Sequence, residues 1–168
     1  MRLIMIRHAA AQAREDAPDD RSRSLTDEGA RKFERVATGL ACLFDPPVLI
    51  LSSPLVRARQ TAEIVSSVWG GGAIREIEAL AEGDADAVEA AAAASGEKAV
   101  ALVGHEPFMS THLARLLEVA RPESLGFKKG GVAVVDLVPG GRPRNAVLIA
   151  FLPPRVCRAA AASFGADE

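Results

Sequence analysis

The chain has 168 residues, nearly half of them apolar (49%) and a quarter charged (25%), with a formal net charge of −2. That length suits a single domain, 1–168, able to bury roughly two thirds of the surface that the unfolded chain exposes, and the composition excludes disorder and fibrous repeats. The 20 Lys and Arg are spread along the sequence, which excludes a concentrated basic field for nucleic acid.

The apolar stretches are too short for a signal-peptide core or a bilayer span, so a soluble cytoplasmic protein without membrane contact is expected. Cys42 and Cys157 lie far apart and outside any Cys-x-x-Cys pair. That suits a reducing compartment, with both thiols as small apolar fillers.

Residues 3–6, Leu-Ile-Met-Ile, form a short apolar run that predicts a strand buried on both faces, ending at Arg7-His8. Residues 11–24 are polar, contain Pro18 and lack periodicity, which predicts a surface loop. Thr26 is placed to cap a helix with Asp27 and Glu28 in its first turn. Phe33, Val36, Ala37, Leu40 and Leu43 follow at close to a 3.6-residue period, and Asp45-Pro46-Pro47 ends the helix. Residues 48–51 predict a second buried strand, Ser52-Ser53-Pro54 a turn, residues 56–68 a helix, and Gly70-Gly71-Gly72 its stop.

Residues 74–80 are mixed, with room for a short strand, and residues 84–95 are helical by propensity with Gly96 placed at the end. Residues 99–103 read as a third clear strand, followed at once by Gly104-His105-Glu106-Pro107 and by a helical apolar face over 108–119. Strand candidates at 132–138 and 146–152 flank Pro139-Gly140-Gly141-Arg142-Pro143, which reads as a hairpin turn, and a helix over 155–163 closes the chain. Strand, polar turn and helix occur three times. The fold class expected is α/β: a three-layer α/β/α sandwich whose mostly parallel sheet of about five to six strands has an antiparallel edge.

In open α/β sheets the functional crevice lies beyond the carboxyl ends of the strands. Three polar clusters fall there: Arg7-His8, Ser53-Pro54 with Arg57, and Gly104-His105. Two guanidiniums and two imidazoles form a pocket for a tetrahedral dianion better than for a neutral ligand. They do not form a metal site, because no His-x-x-x-His or carboxylate cluster accompanies them and two Arg repel a dication. No metal or other cofactor is expected.

Other polar residues have plainer readings. His112, seven positions past His105, reads as a helix-surface or core-edge residue. Ser52 and Ser53 lack the Gly-x-Ser-x-Gly elbow of a serine nucleophile. Lys128-Lys129-Gly130-Gly131 lacks Walker spacing and reads as a solvated turn. Arg59 is two helical positions from Arg57 and faces another way.

Arg7-His8-Ala9 resembles the Arg-His-Gly signature of the histidine phosphatase superfamily, the phosphoglycerate mutase-like group. Ser53-Pro54-Leu55-Val56-Arg57-Ala58-Arg59-Gln60-Thr61-Ala62 resembles its second arginine motif, and Gly104-His105-Glu106 its second histidine motif. Arg23-Ser24-Leu25-Thr26, with Gly29 after it, is similar to the Arg-Pro-Leu-Thr segment of the compact phosphohistidine phosphatases of the SixA branch. The resemblance runs from Arg2 to about Leu152, and the short length, without a large inserted cap, points to the same branch.

The resemblance implies a metal-independent phosphatase in which His8 attacks phosphorus and carries the phosphoryl group as phosphohistidine, while Arg7, Arg57 and His105 hold its oxygens. Arg23 either contacts substrate or pairs with Asp19 or Asp20. Ala9 stands where the family has Gly, so the backbone there need not adopt a positive φ, and its methyl could narrow the pocket. Glu78, Glu82 and Asp84 lie where larger relatives place a proton-donating carboxylate, with Glu82 the first choice. The weak acid motif favours a phosphoramidate, so the expected substrate is a phosphorylated protein such as a histidine phosphotransfer domain. The alternatives are a small sugar or nucleotide phosphate, which needs a working acid, and a regulatory module that binds phosphate without turnover.

Overall fold

Alternation of side-chain direction along residues 3–6 sets the layers: Ile4 and Ile6 pack into one apolar cluster, Leu3 and Met5 into another, and all four are fully buried. They lie on strand β1 (Arg2–Arg7), and successive strand side chains point to opposite faces, so both faces of the sheet must be covered. The computed structural model describes residues 1–138 and 146–164.

Helix α1 (Asp27–Leu43) starts where Thr26 Oγ1 accepts from Gly29 N at 3.0 Å. It buries Phe33, Val36, Ala37 and Leu40, whereas Leu43, at its end, is exposed. Strand β2 (Leu49–Ser52) leads to α2 (Val56–Val68) and then to the short, exposed β3 (Ala73–Glu76). Residues 79–82 form a short helix, α3 (Ala79–Glu82), which periodicity did not predict because a single turn carries no repeat. Next come α4 (Ala85–Ala94), capped by Asp84 Oδ1 accepting from Ala87 N at 3.0 Å, and β4 (Ala99–Gly104).

Helix α5 (Phe108–Leu117) stops two residues before the predicted end, because Glu118 takes a left-handed conformation with φ 55°. A 3₁₀ turn over Pro122–Leu125 leads to the antiparallel strands β5 (Val132–Leu137) and β6 (Ala146–Leu152), followed by α6 (Pro154–Phe164). The expected hairpin turn at 139–143 lies outside the described residues.

The six described strands form one sheet in the order β3-β2-β4-β1-β5-β6. The first four are parallel; β5 runs against β1, which supplies the antiparallel edge. Residues of α1, α2 and α6 join the cluster of Ile4 and Ile6, while α3, α4 and α5 contribute to that of Leu3 and Met5. The three-layer arrangement therefore stands as expected.

Cys157 is a buried filler whose thiol pKa burial pushes up to about 11. Cys42 is exposed, contrary to the sequence reading: two positions after Leu40 it falls on the outer side of α1. No helix among the described residues is long and apolar enough to cross a membrane.

Candidate active site

Register brings the polar clusters together. Arg7 pairs with Gly104 across β1 and β4, so His8 and His105 leave adjacent parallel strands at the same level. His8 N donates to Gly104 O at 3.0 Å, and Ser53 N to Val103 O at 2.9 Å, which extends the pairing past the strand ends. The imidazole rings lie 5.0 Å apart, centroid to centroid. Arg57 enters from the first turn of α2, 6% exposed, and its Nε donates to His8 Nε2 at 3.3 Å.

The hydrogen bond of His8 assigns its tautomer. His8 Nδ1 lies 2.7 Å from Ala9 O, and a carbonyl can only accept, so Nδ1 carries the proton and Nε2 keeps its lone pair. His105 Nε2 is 2.8 Å from Ser53 Oγ. The serine hydroxyl can donate to or accept from this nitrogen, and the other ring nitrogen, Nδ1, is buried without a partner among the described residues. Burial pushes the His8 pKa down to about 3, and His105, Arg57 and Arg7 push the same way. Burial likewise lowers His105 to about 4, helped by Arg57 and Arg7 and opposed by Asp20. Both rings are neutral at pH 7.

Arg7 Nη1 donates to Phe127 O, while its Nε is buried and unpartnered. Glu106 Oε1 accepts from Phe127 N at 2.7 Å, and its Oε2 accepts from Ser110 N and Oγ, so this carboxylate holds the turn to which Arg7 is tied. Gly130 N donates to both Arg7 O and His8 O, from a residue with φ +73° that suits glycine. The turn read as solvated thus clamps the His8 backbone, although its two lysines are exposed.

The loop 11–24 folds over Arg57. Asp20 Oδ2 accepts from Arg57 Nη2 at 2.9 Å, Asp20 O accepts from Nη1, and Asp20 Oδ1 accepts from Arg23 Nη1 at 2.8 Å. The bonds from Arg23 and Arg57 hold the Asp20 carboxyl down to about 2, so it is ionised at neutral pH. Arg23 also donates through Nε to Gln12 O, and it reaches His8 only through two residues, Asp20 and Arg57. Asp20 was not singled out from the sequence, since nothing distinguishes it there from its neighbour Asp19.

Two hydroxyls also escaped the sequence reading. Ser53 orients His105, and Thr61 Oγ1 accepts from Ala9 N at 3.1 Å while donating to Arg57 O at 2.7 Å. Ala9 keeps a negative φ and its methyl joins the core cluster of Phe33 and Val36.

None of the candidate acids hydrogen-bonds to His8 or His105. Glu78 pairs with Arg21 at 3.0 Å, and Asp84 caps α4. Glu82 ends α3, exposed and without a side-chain hydrogen bond or ion pair to any described residue. Arg59 pairs outward with Glu63. Of the two readings for His112, helix surface and core edge, the structure gives the second: it is buried, its Nε2 reaches Glu89 Oε1 at 3.1 Å across α4 and α5, and its ring packs on Phe108. No group of three or more His, Cys, Asp or Glu is gathered as a metal site among the described residues.

Residues 3–90 match the histidine phosphatase superfamily (branch 1). An uncharacterized protein of Picosynechococcus sp. is 35% identical over 137 residues, 79% of this chain and 82% of its own length. Among solved structures, a protein of Agrobacterium tumefaciens assigned to phosphohistidine phosphatase SixA is 29% identical, with TM-score 0.77, covering 91% of this chain and 97% of that one. The protein histidine phosphatase SixA complexed with tungstate is 26% identical, with TM-score 0.80, covering 92% and 98%. The alpha-ribazole phosphatase of Shigella flexneri, 20% identical with TM-score 0.69, covers 92% and 97% and shares the fold.

Proposed function

This chain belongs to the histidine phosphatase superfamily (branch 1), and from that premise we propose that it hydrolyses protein phosphohistidine through a phosphoryl group carried on His8. The observation that carries the reading is a set of polar atoms beside the neutral, buried His8: the donor Arg7 Nε and the ring nitrogen His105 Nδ1 are buried and no described residue satisfies them, and the reading takes Nδ1 as the protonated nitrogen, with Ser53 donating to Nε2. Leaving such groups unpaired costs about 1–3 kcal/mol each, a cost that phosphoryl oxygens in the pocket would remove.

In the proposed reaction, the His8 Nε2 lone pair attacks phosphorus in line, and the bond from phosphorus to the substrate imidazole nitrogen breaks. That imidazole leaves neutral when its other nitrogen carries a proton from solvent. Arg7, Arg57 and His105 hold the equatorial oxygens, with Arg57 Nε moving its hydrogen bond from Nε2 to oxygen as the new P–N bond forms. Water then attacks the phosphohistidine, releasing inorganic phosphate and restoring neutral His8. The positive charge comes from the two guanidiniums, so the reading calls for no metal.

The leaving group supports the choice of substrate. An alkoxide needs a proton from a nearby acid, worth roughly a hundredfold to ten-thousandfold in rate. Asp20, the carboxylate bound to Arg57, is held ionised, and Glu78 and Asp84 are engaged elsewhere. A phosphoramidate can do without such an acid. The bond to Asp20 makes Arg23 a positioning group for Arg57 in this account.

The unpaired Glu82 favours a second reading, in which it serves as acid toward a small sugar or nucleotide phosphate. Glu82→Gln separates the two: a large loss on an alkyl phosphate with little change on a phosphoramidate supports the second. The first is tested by incubating the protein and His8→Ala with a phosphorylated histidine phosphotransfer domain. Rapid dephosphorylation by the unaltered protein alone is expected, and equal rates for both would remove His8 as the nucleophile. A domain that only binds phosphate would show no turnover in either.

A further inference from the structure

A cavity of about 550 Å³ borders Ala9 and Ala10 but is lined by none of Arg7, His8, Arg57 and His105. Its walls are the N-terminal parts of α1 and α6, the end of β6 and the turn over 126–131. That volume is in the usual range for small-molecule sites, roughly 300–1,000 Å³.

The lining carries charge of one sign only. Lys128, Lys129, Arg155 and Arg158 contribute to it and form no ion pair with any described residue. Lys32, also on the wall, pairs with Glu28. None of the lining residues is Asp or Glu, although the chain as a whole carries a net charge of −2. The rest of the wall is apolar: Phe33, Val36, Phe151 and Pro154 line it, and Phe151 packs edge-on against Phe127 at 5.0 Å while remaining 36% exposed.

We propose that this cavity is a second ligand site, separate from the phosphoryl pocket, that binds a small amphipathic organic anion. The charged head lies at Lys128, Lys129, Arg155 and Arg158, and the apolar body lies against Phe33, Val36, Phe151 and Pro154. An inorganic anion would leave the apolar wall in water, and a neutral hydrophobe would bring low-dielectric material beside unmatched cations. Only a ligand with both parts matches both surfaces. Gly130 N donates to the carbonyls of Arg7 and His8, so an occupant meets a turn one hydrogen bond from the backbone that carries His8.

The test uses the fluorescent anion 8-anilinonaphthalene-1-sulfonate, titrated into the full chain and into a variant combining Lys128→Ala, Lys129→Ala and Arg155→Ala. These side chains are exposed, and an unchanged thermal midpoint checks that the variant is folded. The dissociation constant is expected to rise roughly tenfold in the variant. Decanoate should displace the probe from the unaltered protein, while decyltrimethylammonium, with the same chain and opposite charge, and inorganic phosphate should not. Equal affinity in the variant, displacement by both amphiphiles alike, or displacement by inorganic phosphate would each overturn the proposal.

Discussion

Arg57 Nε donates to His8 Nε2 at 3.3 Å, so a fixed cation touches the lone pair of the proposed nucleophile. This contact adds to burial in keeping the imidazole neutral, aims its lone pair, and stations a guanidinium where negative charge would arrive.

Arg57→Gln is therefore expected to act in two ways. Turnover of a phosphorylated histidine domain, measured as kcat/KM, falls by roughly a hundredfold to a thousandfold. The His8 pKa moves upward from about 3, because a neighbouring positive charge has gone. NMR titration of the ring protons checks the second effect independently of activity.

Asp20 holds two of the three Arg57 nitrogens, through its backbone carbonyl and its carboxylate. Asp20→Ala removes the carboxylate from Arg57 Nη2 and leaves the backbone contact to Nη1, and kcat/KM is expected to fall by about tenfold to a hundredfold, the scale set by loss of positioning. Asp20→Asn keeps one acceptor and should recover part of that loss. Steady-state kinetics on both variants, beside the unaltered protein, checks the order.

The two buried imidazoles set a pH dependence of stability. Their folded pKa values, about 3 and about 4, lie below the ordinary 6.5, so the unfolded chain binds more protons as the solution is acidified. The stabilisation from neutral His8 and His105 is present above pH 6.5 and is lost as pH falls toward their folded values. The slope is at most about 1.4 kcal/mol per histidine per pH unit. Thermal unfolding at a series of pH values should show the midpoint falling below about pH 6.5, and the ring protons of both should stay flat over about pH 5–8.

Helix α1 meets α6 at Gly39, where an added Cβ would lie 1.8 Å from Cys157 O. A backbone carbonyl cannot yield as a side chain end can. Gly39→Ala is expected to destabilise by about 1–3 kcal/mol or more, read as a lowered midpoint in denaturant unfolding.

The strands, the long helices and the four central residues were readable from sequence because each rests on local pattern. Continuous apolar runs mark buried strands, and Arg7-His8, Arg57 and Gly104-His105 follow them within a few positions. What local pattern did not carry was contact across the fold. Asp20 matters because its loop closes on α2, Thr61 because α2 packs beside Ala9, and Ser53 because β2 lies next to β4. His112 looked peripheral until α4 brought Glu89 to it, and Cys42 looked like filler until α1 turned it outward.

The most direct measurement is of the covalent species itself. The protein is mixed with a ³²P-labelled phosphohistidine domain, quenched in base, and the labelled peptide is identified. The label is expected on the peptide containing His8, stable to base and released by acid, and absent from His8→Ala. An acid-stable label on a hydroxyl residue, or the same label in His8→Ala, would contradict phosphoryl transfer to His8.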